Sequence, residues 1–156
     1  MAGPVRKILL ELVLEDAIIR EENAYRFYGS AMGRVDGREE KQLLKKLCAE
    51  ELRHRLKLEE MQRRGDAEQL EFPGSGELEP GEPDSLDAEQ SWPEVTDSTS
   101  CRDILELALL KENQAVRYYR FIAGRSVLKV VKDLFLFLAE EESEHVRWVE
   151  KMLVQP

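Results

Sequence analysis

The chain has 156 residues, 42% hydrophobic and 35% charged, which is enough apolar material for one sizeable core and fits a single domain spanning 1–156. Thirty-two acidic residues against 23 basic ones leave a formal charge of −9, the wrong sign for a phosphate-binding surface, so no nucleic-acid partner is expected. Only two cysteines occur, Cys48 and Cys101, and no apolar stretch reaches signal-peptide or membrane-spanning length; a soluble cytoplasmic protein without membrane contact is expected.

From Val5 onward, Leu10, Leu14, Ala17, Glu21, Ala24, Tyr28 and Ala31 recur at intervals of three and four, which predicts a helix over about 5–33. Pro4 suits its first turn. Leu43, Leu47, Glu51, His54, Leu58 and Met61 mark a second helix over 37–64, with Asp36 and Glu39 resembling a capping box and Gly65 a stop. Residues 65–100 differ in composition: 11 acidic residues, no Lys or Arg, four Gly and four Pro. Removing that charge from the total leaves about +2 elsewhere (−9 plus 11), so the acidity belongs to a crossover linker, whose apolar anchors are Leu70, Phe72, Leu78, Leu86 and Trp92. Ser100 with Asp103 can cap a third helix over 101–123, carrying Leu105, Ala108, Glu112, Ala115, Tyr119 and Ile122 on one face. The fourth, over 127–154, carries Leu128, Val131, Phe135, Leu138, Glu142, His145, Val149 and Met152. Short turns near Val35 and Gly124 make two antiparallel hairpins. Joined by the long linker, they predict an all-α four-helix bundle.

A shift of 91 residues superimposes the hairpins without a gap. Seventeen of the 48 positions from Leu14 to Met61 equal their partners, among them Glu21 with Glu112, Tyr28 with Tyr119, Glu51 with Glu142 and His54 with His145. Matched acids on an apolar face carry weight, because a buried carboxylate costs several kcal/mol unless something compensates it. Residues three apart in a helix lie about 4.5 Å apart along the axis and roughly 60° apart around it, so Glu51 with His54, and Glu142 with His145, can each hold one ion. With Glu21 and Glu112 the site has four negative charges, which two divalent cations neutralise. Mixed carboxylate and imidazole donors suit iron or manganese. Glu22 and Glu141 compete with Glu21 and Glu142, and the 91-residue offset selects between them.

This donor set, in the segments Glu21-Glu-Asn-Ala-Tyr-Arg-Phe-Tyr28, Ala49-Glu-Glu-Leu-Arg-His54, Glu112-Asn-Gln-Ala-Val-Arg-Tyr-Tyr119 and Glu140-Glu-Glu-Ser-Glu-His145, resembles the ferritin-like superfamily, most closely the di-iron domain of rubrerythrin. The resemblance covers all four helices and leaves out the linker. It implies a ferritin-like bundle with two irons, manganese or zinc being the alternatives, in which Glu51 and Glu142 bridge while Glu21, Glu112, His54 and His145 bind terminally; these six are also the candidate catalytic residues. Rubrerythrins usually have a further Glu three residues after the third-helix ligand, where this chain has Ala115, so the set is closer to that of bacterioferritin. Bacterioferritin places a haem-binding Met directly after the second-helix Glu, where this chain has Leu52, and no haem is expected. The four cysteines of a rubredoxin-like tail are missing too.

Glu50 and Glu141, four residues before the two histidines, are candidates to orient the imidazole of the opposite helix, although a solvated helix edge explains them equally well. Tyr28 and Tyr119 can donate to ligand carboxylates, or can be core tyrosines with satisfied hydroxyls. Cys48 aligns with Ala139 and reads as a small core residue, while Trp148 and the run 135–138 read as core or subunit contacts.

The resemblance implies an oxidoreductase that reacts with dioxygen or hydrogen peroxide, reducing peroxide or oxidising ferrous iron as a ferroxidase does; Ala115 shifts weight toward the second. The alternatives are iron storage or transfer and a purely structural di-metal site. Expected partners are a second copy or more of the chain, with helices exchanged between subunits in one arrangement, and a separate electron donor such as a rubredoxin-like protein.

Overall fold

Four long helices account for nearly all the backbone described in the computed structural model, which covers residues 4–64, 92–126 and 129–155, with side chains from Leu10 onward. They are α1 (Pro4–Met32), α2 (Arg38–Arg63), α3 (Cys101–Arg125) and α4 (Lys129–Leu153). Helix α1 packs along α2 and α3 along α4, and α2 also meets α4, so the two hairpins close into a four-helix bundle. Among the described residues there is no strand. No helix of the described residues is long and apolar enough to cross a membrane.

The three-and-four spacing acts through burial. Leu10, Leu14 and Ala17 of α1, Leu58 and Met61 of α2, Tyr119 and Ile122 of α3, and Phe135 and Leu138 of α4 form one apolar cluster. Ala24, Tyr28 and Ala31, Leu43, Leu44 and Leu47, Leu105 and Ala108, and Val149 form a second. The six buried glutamates and histidines fall, in every helix, between the stretches that feed the two clusters, so a charged layer crosses the bundle at mid-height.

The end of the crossover joins the second cluster. Val95 is buried, and the Trp92 ring stands 4.6 Å from that of Phe27, centroid to centroid. Asp97 pairs with Arg34 beyond the end of α1, and Thr99 N donates to Thr96 O at 3.0 Å, which turns the chain into α3. Leu70, Phe72, Leu78 and Leu86, the stop at Gly65 and the face position Leu128 lie outside the described residues.

Helix starts follow the expectation at one place and depart from it at another. Ser100 Oγ accepts from Asp103 N at 3.0 Å, capping α3 as its sequence suggests. For α2 the capping box of Asp36 and Glu39 is not formed. The N-cap residue is Gly37, extended at φ −66° and ψ 133° with no side-chain cap bond, which leaves Asp36 one residue too early to reach the first free amides. Glu40, at the third helical position, folds its carboxylate back over Gly37 into the space a Cβ there would occupy, while Glu39 and Glu40 together place negative charge at the positive end of the helix dipole. Helix α3 continues through Gly124 to Arg125, two residues beyond the expected end, with Ser126 as its C-cap.

Candidate metal centre

The charged layer holds Glu21, Glu51, His54, Glu112, Glu142 and His145, each at most 3% exposed. Glu21 and Glu112 come singly from α1 and α3, whereas α2 and α4 each contribute a Glu and a His one turn apart, because a three-residue step keeps both on the inward face. Ligand atoms of Glu21, Glu51, His54 and Glu142 lie within 4.8 Å of one another, as do those of Glu51, Glu112, Glu142 and His145. The two sets share Glu51 and Glu142. This is the arrangement required if two ions sit side by side with those carboxylates between them.

Both imidazoles turn Nδ1 toward the acids. His54 Nδ1 is 2.9 Å from Glu142 Oε1, and His145 Nδ1 is 2.9 Å from Glu51 Oε1 and 3.1 Å from Glu142 Oε2. The rings stack 5.4 Å apart at 12°. Two tyrosines close the layer crosswise: Tyr28 of α1 donates to Glu112 Oε1 at 2.6 Å, and Tyr119 of α3 donates to Glu21 Oε1. The 91-residue repeat is thus a repeat of contacts as well, each hairpin's tyrosine serving the other hairpin's glutamate.

Protonation is divided unevenly among the four acids. Burial raises Glu142, and the charges of Glu112 and Glu21 raise it further, to about 8. Burial and the same crowding push Glu51 well above the carboxylate range. Burial opposes ionisation of Glu112 as well, but the His145 charge and hydrogen bonds from Glu142, His145 and Tyr28 outweigh it and hold the group at about 2. Glu21 is likewise lowered against its burial, by Glu51, His54 and Tyr119. Burial alone would lower the two imidazoles, but Glu21 beside His54 and Glu112 beside His145 lead the acids that hold both well above the usual range. Without metal the layer therefore approaches neutrality by keeping protons on two acids and both imidazoles.

The residues fit a pair of metal ions. Glu21 Oε2, Glu51 Oε1 and Glu112 Oε2 are buried and accept no hydrogen bond, each having only an imidazole Nδ1 nearby, at 3.7, 2.9 and 3.4 Å in turn, so their lone pairs are open to a cation that displaces the imidazole proton. Four carboxylates and two imidazoles match two divalent cations in charge, and the oxygen and nitrogen mixture suits iron or manganese.

Neighbouring acids separate clearly. Glu22 is half-buried and pairs with Arg26 at 2.8 Å and with Arg55, outside the layer. Glu50 lies within 4.8 Å of both histidines as a ligand-like group and pairs with Arg53 at 3.3 Å, while Glu141 is half-buried at a helix edge. Neither meets the expectation of a hydrogen bond to an imidazole, since His54 Nε2 and His145 Nε2 are buried without a hydrogen-bond partner. Cys48, half-buried, donates weakly to Tyr25 O at 3.4 Å, in keeping with a small packing residue. The Trp148 ring rests 5.0 Å from that of His145. Phe135 and Leu138 are core, while Leu136 and Phe137 are exposed.

Tyr118 was not among the candidates. It is buried beside Tyr119, donates to Asp16 Oδ2 at 2.7 Å, and has the Arg20 guanidinium 4.0 Å from its ring centre. A cavity of about 30 Å³ reaches the carboxylates between α1 and α3. Ala24 and Ala115 lie along it, and all four buried glutamates line its floor.

Among solved structures, a hypothetical protein from Pyrococcus furiosus matches with a TM-score of 0.69 at 22% identity, over 92% of this chain and 87% of that one, which shows a shared fold. No curated protein matches the chain. Residues 103–155 match the family model Rubrerythrin, and this stretch contains Glu112, Glu142 and His145, the second hairpin's share of the layer. That match supports a ferritin-like, rubrerythrin-type domain with a metal-binding carboxylate and histidine cluster.

Proposed function

We propose that this protein is a non-haem di-iron oxidoreductase that uses dioxygen or hydrogen peroxide as oxidant, with ferroxidase-like iron oxidation favoured over the usual peroxide reduction of rubrerythrins. The observation that carries the reading is the pair of four-residue sets sharing Glu51 and Glu142. Glu21 and His54 would hold one iron and Glu112 and His145 the other, with Glu51 and Glu142 common to both.

When bound, the ferrous pair supplies two electrons to the oxidant. The chain's own residues set the conditions. Tyr28 and Tyr119 keep their protons, because burial and the neighbouring acids raise both hydroxyls well above the usual phenol range, and they orient Glu112 and Glu21 by donating to them. The two apolar clusters exclude bulk water from above and below. Ala115 leaves space where rubrerythrins usually place a further acid, which favours the ferroxidase side. In peroxide reduction, electrons for repeated turnover come from a separate protein, whereas in iron oxidation the incoming ferrous iron supplies them; the bundle works as a homo-oligomer.

Anaerobic loading of metal-free protein with ferrous iron, followed by oxygen or peroxide, tests this. Two irons per chain and a rapid rise in near-ultraviolet absorption on oxidation are expected. Iron bound but left ferrous would transfer the assignment to storage, transfer or a structural metal site.

A further inference from the structure

The metal layer has two unlike sides. The histidines occupy the α2 and α4 side, whereas the cavity opens on the carboxylates from the α1 and α3 side. Its lining passes from the buried ligand acids, past Ala24 and Ala115, to the half-buried Lys111, Gln114 and Trp92, so it leads from the layer toward the surface. Its width follows from the repeat: Ala24 and Ala115 correspond under the 91-residue shift, and alanine at both leaves a gap where the two helices face each other.

The volume, about 30 Å³, is roughly that of two water-sized probes, since one requires about 10–15 Å³. It accommodates a molecule of two heavy atoms and excludes a branched organic one. The rim is basic. Lys111 Nζ stands 5.1 Å from the Trp92 ring centre, and Arg20 lies over Tyr118 with its Nε 2.9 Å from Asp16.

We infer that this cavity is the port by which a two-heavy-atom oxidant, dioxygen or hydrogen peroxide, reaches the carboxylate layer, and that Ala24 and Ala115 set its size limit. The inference rests on the oxidoreductase reading for the identity of the oxidant, but the cavity itself can be tested without metal. Ala24 and Ala115 are positioning residues here: they touch the entering molecule's path and take no part in the chemistry.

Metal-free protein labelled at its alanine methyl groups is placed under dissolved dioxygen, whose paramagnetism broadens the resonances it approaches. Broadening at Ala24 and Ala115 should exceed that at the buried Ala17, Ala108 and Ala139 several-fold, and in Ala115→Leu the excess at Ala24 should disappear. Uniform broadening, or an excess that survives Ala115→Leu, overturns the port. With iron bound, hydrogen peroxide should oxidise the wild-type centre at least tenfold faster than tert-butyl hydroperoxide, and Ala115→Leu should slow hydrogen peroxide at least tenfold while retaining two irons per chain. Equal rates for the two peroxides overturn the size limit. Should Ala115→Leu lose the folded methyl spectrum, Ala24→Leu closes the same gap from the other helix. A wild-type centre that neither oxidant touches, together with selective broadening, would refute the oxidoreductase reading and leave the port standing.

Discussion

Tyr28 of the first hairpin donates its hydroxyl to Glu112 of the second at 2.6 Å, in the middle of the charged layer. The bond ties the two halves of the bundle together at the one residue that α3 contributes to the proposed ligand set. Replacing Tyr28 with Phe leaves that oxygen without its donor, at a cost of about 1–3 kcal/mol for a buried acceptor left unpaired. Metal affinity should fall by roughly 10–100-fold, as for other residues that orient a ligand. Thermal melts of metal-free protein and a competition titration with a chelator measure the two effects separately.

The proposed bridging role of Glu142 can be tested by Glu142→Gln. Its side chain keeps the size of the acid but presents a neutral amide to both ion positions. Two-metal binding should be lost, with at most one ion per chain retained in an equilibrium dialysis count. The fold should survive, because burial and neighbouring acids already push Glu142 up to about 8, so the amide resembles its form at neutral pH.

Stability of the metal-free protein should fall as pH rises above about 5. In the unfolded chain Glu142 ionises near 4.5, while in the fold it keeps its proton to about 8, so between those values the folded state holds more protons and loses stability with increasing pH. Glu51 and the two histidines, all raised, act in the same direction: their contribution is complete below the unfolded value and is lost as pH climbs through the folded one. Glu112, held at about 2, acts oppositely but only in the acid range below 4.5. Metal binding must displace the retained protons, so affinity should rise with pH over the same interval. Melting temperatures between pH 5 and 9, with and without metal, should diverge, and Glu142→Gln should flatten the metal-free slope.

Helix caps offer a check remote from the metal. Ser100→Ala removes a cap bond to Asp103 N and should cost about 1 kcal/mol. Asp36→Ala, at a position with no cap bond, should change stability by less than about 0.5 kcal/mol. Denaturant unfolding of both variants with saturating metal would separate them.

Much of the bundle was legible because periodicity in these helices follows burial closely. Every described inward position of α1 and α2 named from spacing is buried, and in α3 and α4 only Ala115 and Met152 are partly exposed. Ala115 is partly exposed for a reason spacing cannot express, since it borders the cavity. The six ligand candidates were legible because they are acids and histidines where leucine belongs. Tyr118 was not: its partner Asp16 sits on the polar edge of α1, and only the crossing of α1 and α3 brings the two together. The seat of Val95 and Trp92 depends in the same way on tertiary contact, as does the reach of Glu50 toward both histidines. At α2 the local pattern misled because two adjacent residues, Asp36 and Gly37, both favour a cap, and the backbone chose the glycine.

The apolar core is two clusters with a layer of ionisable groups between them, and this ties the lifetime of the protein to the supply of its metal. Each ion that binds the folded form and ignores the unfolded one adds RT ln(1 + [L]/Kd), about 2.7 kcal/mol when free metal stands at a hundred times the dissociation constant. Starved of metal, the bundle keeps its helices but loses the tie at its waist, and a larger fraction of molecules opens far enough for proteases to cut. The abundance of this protein would then report the available metal without any change in its synthesis.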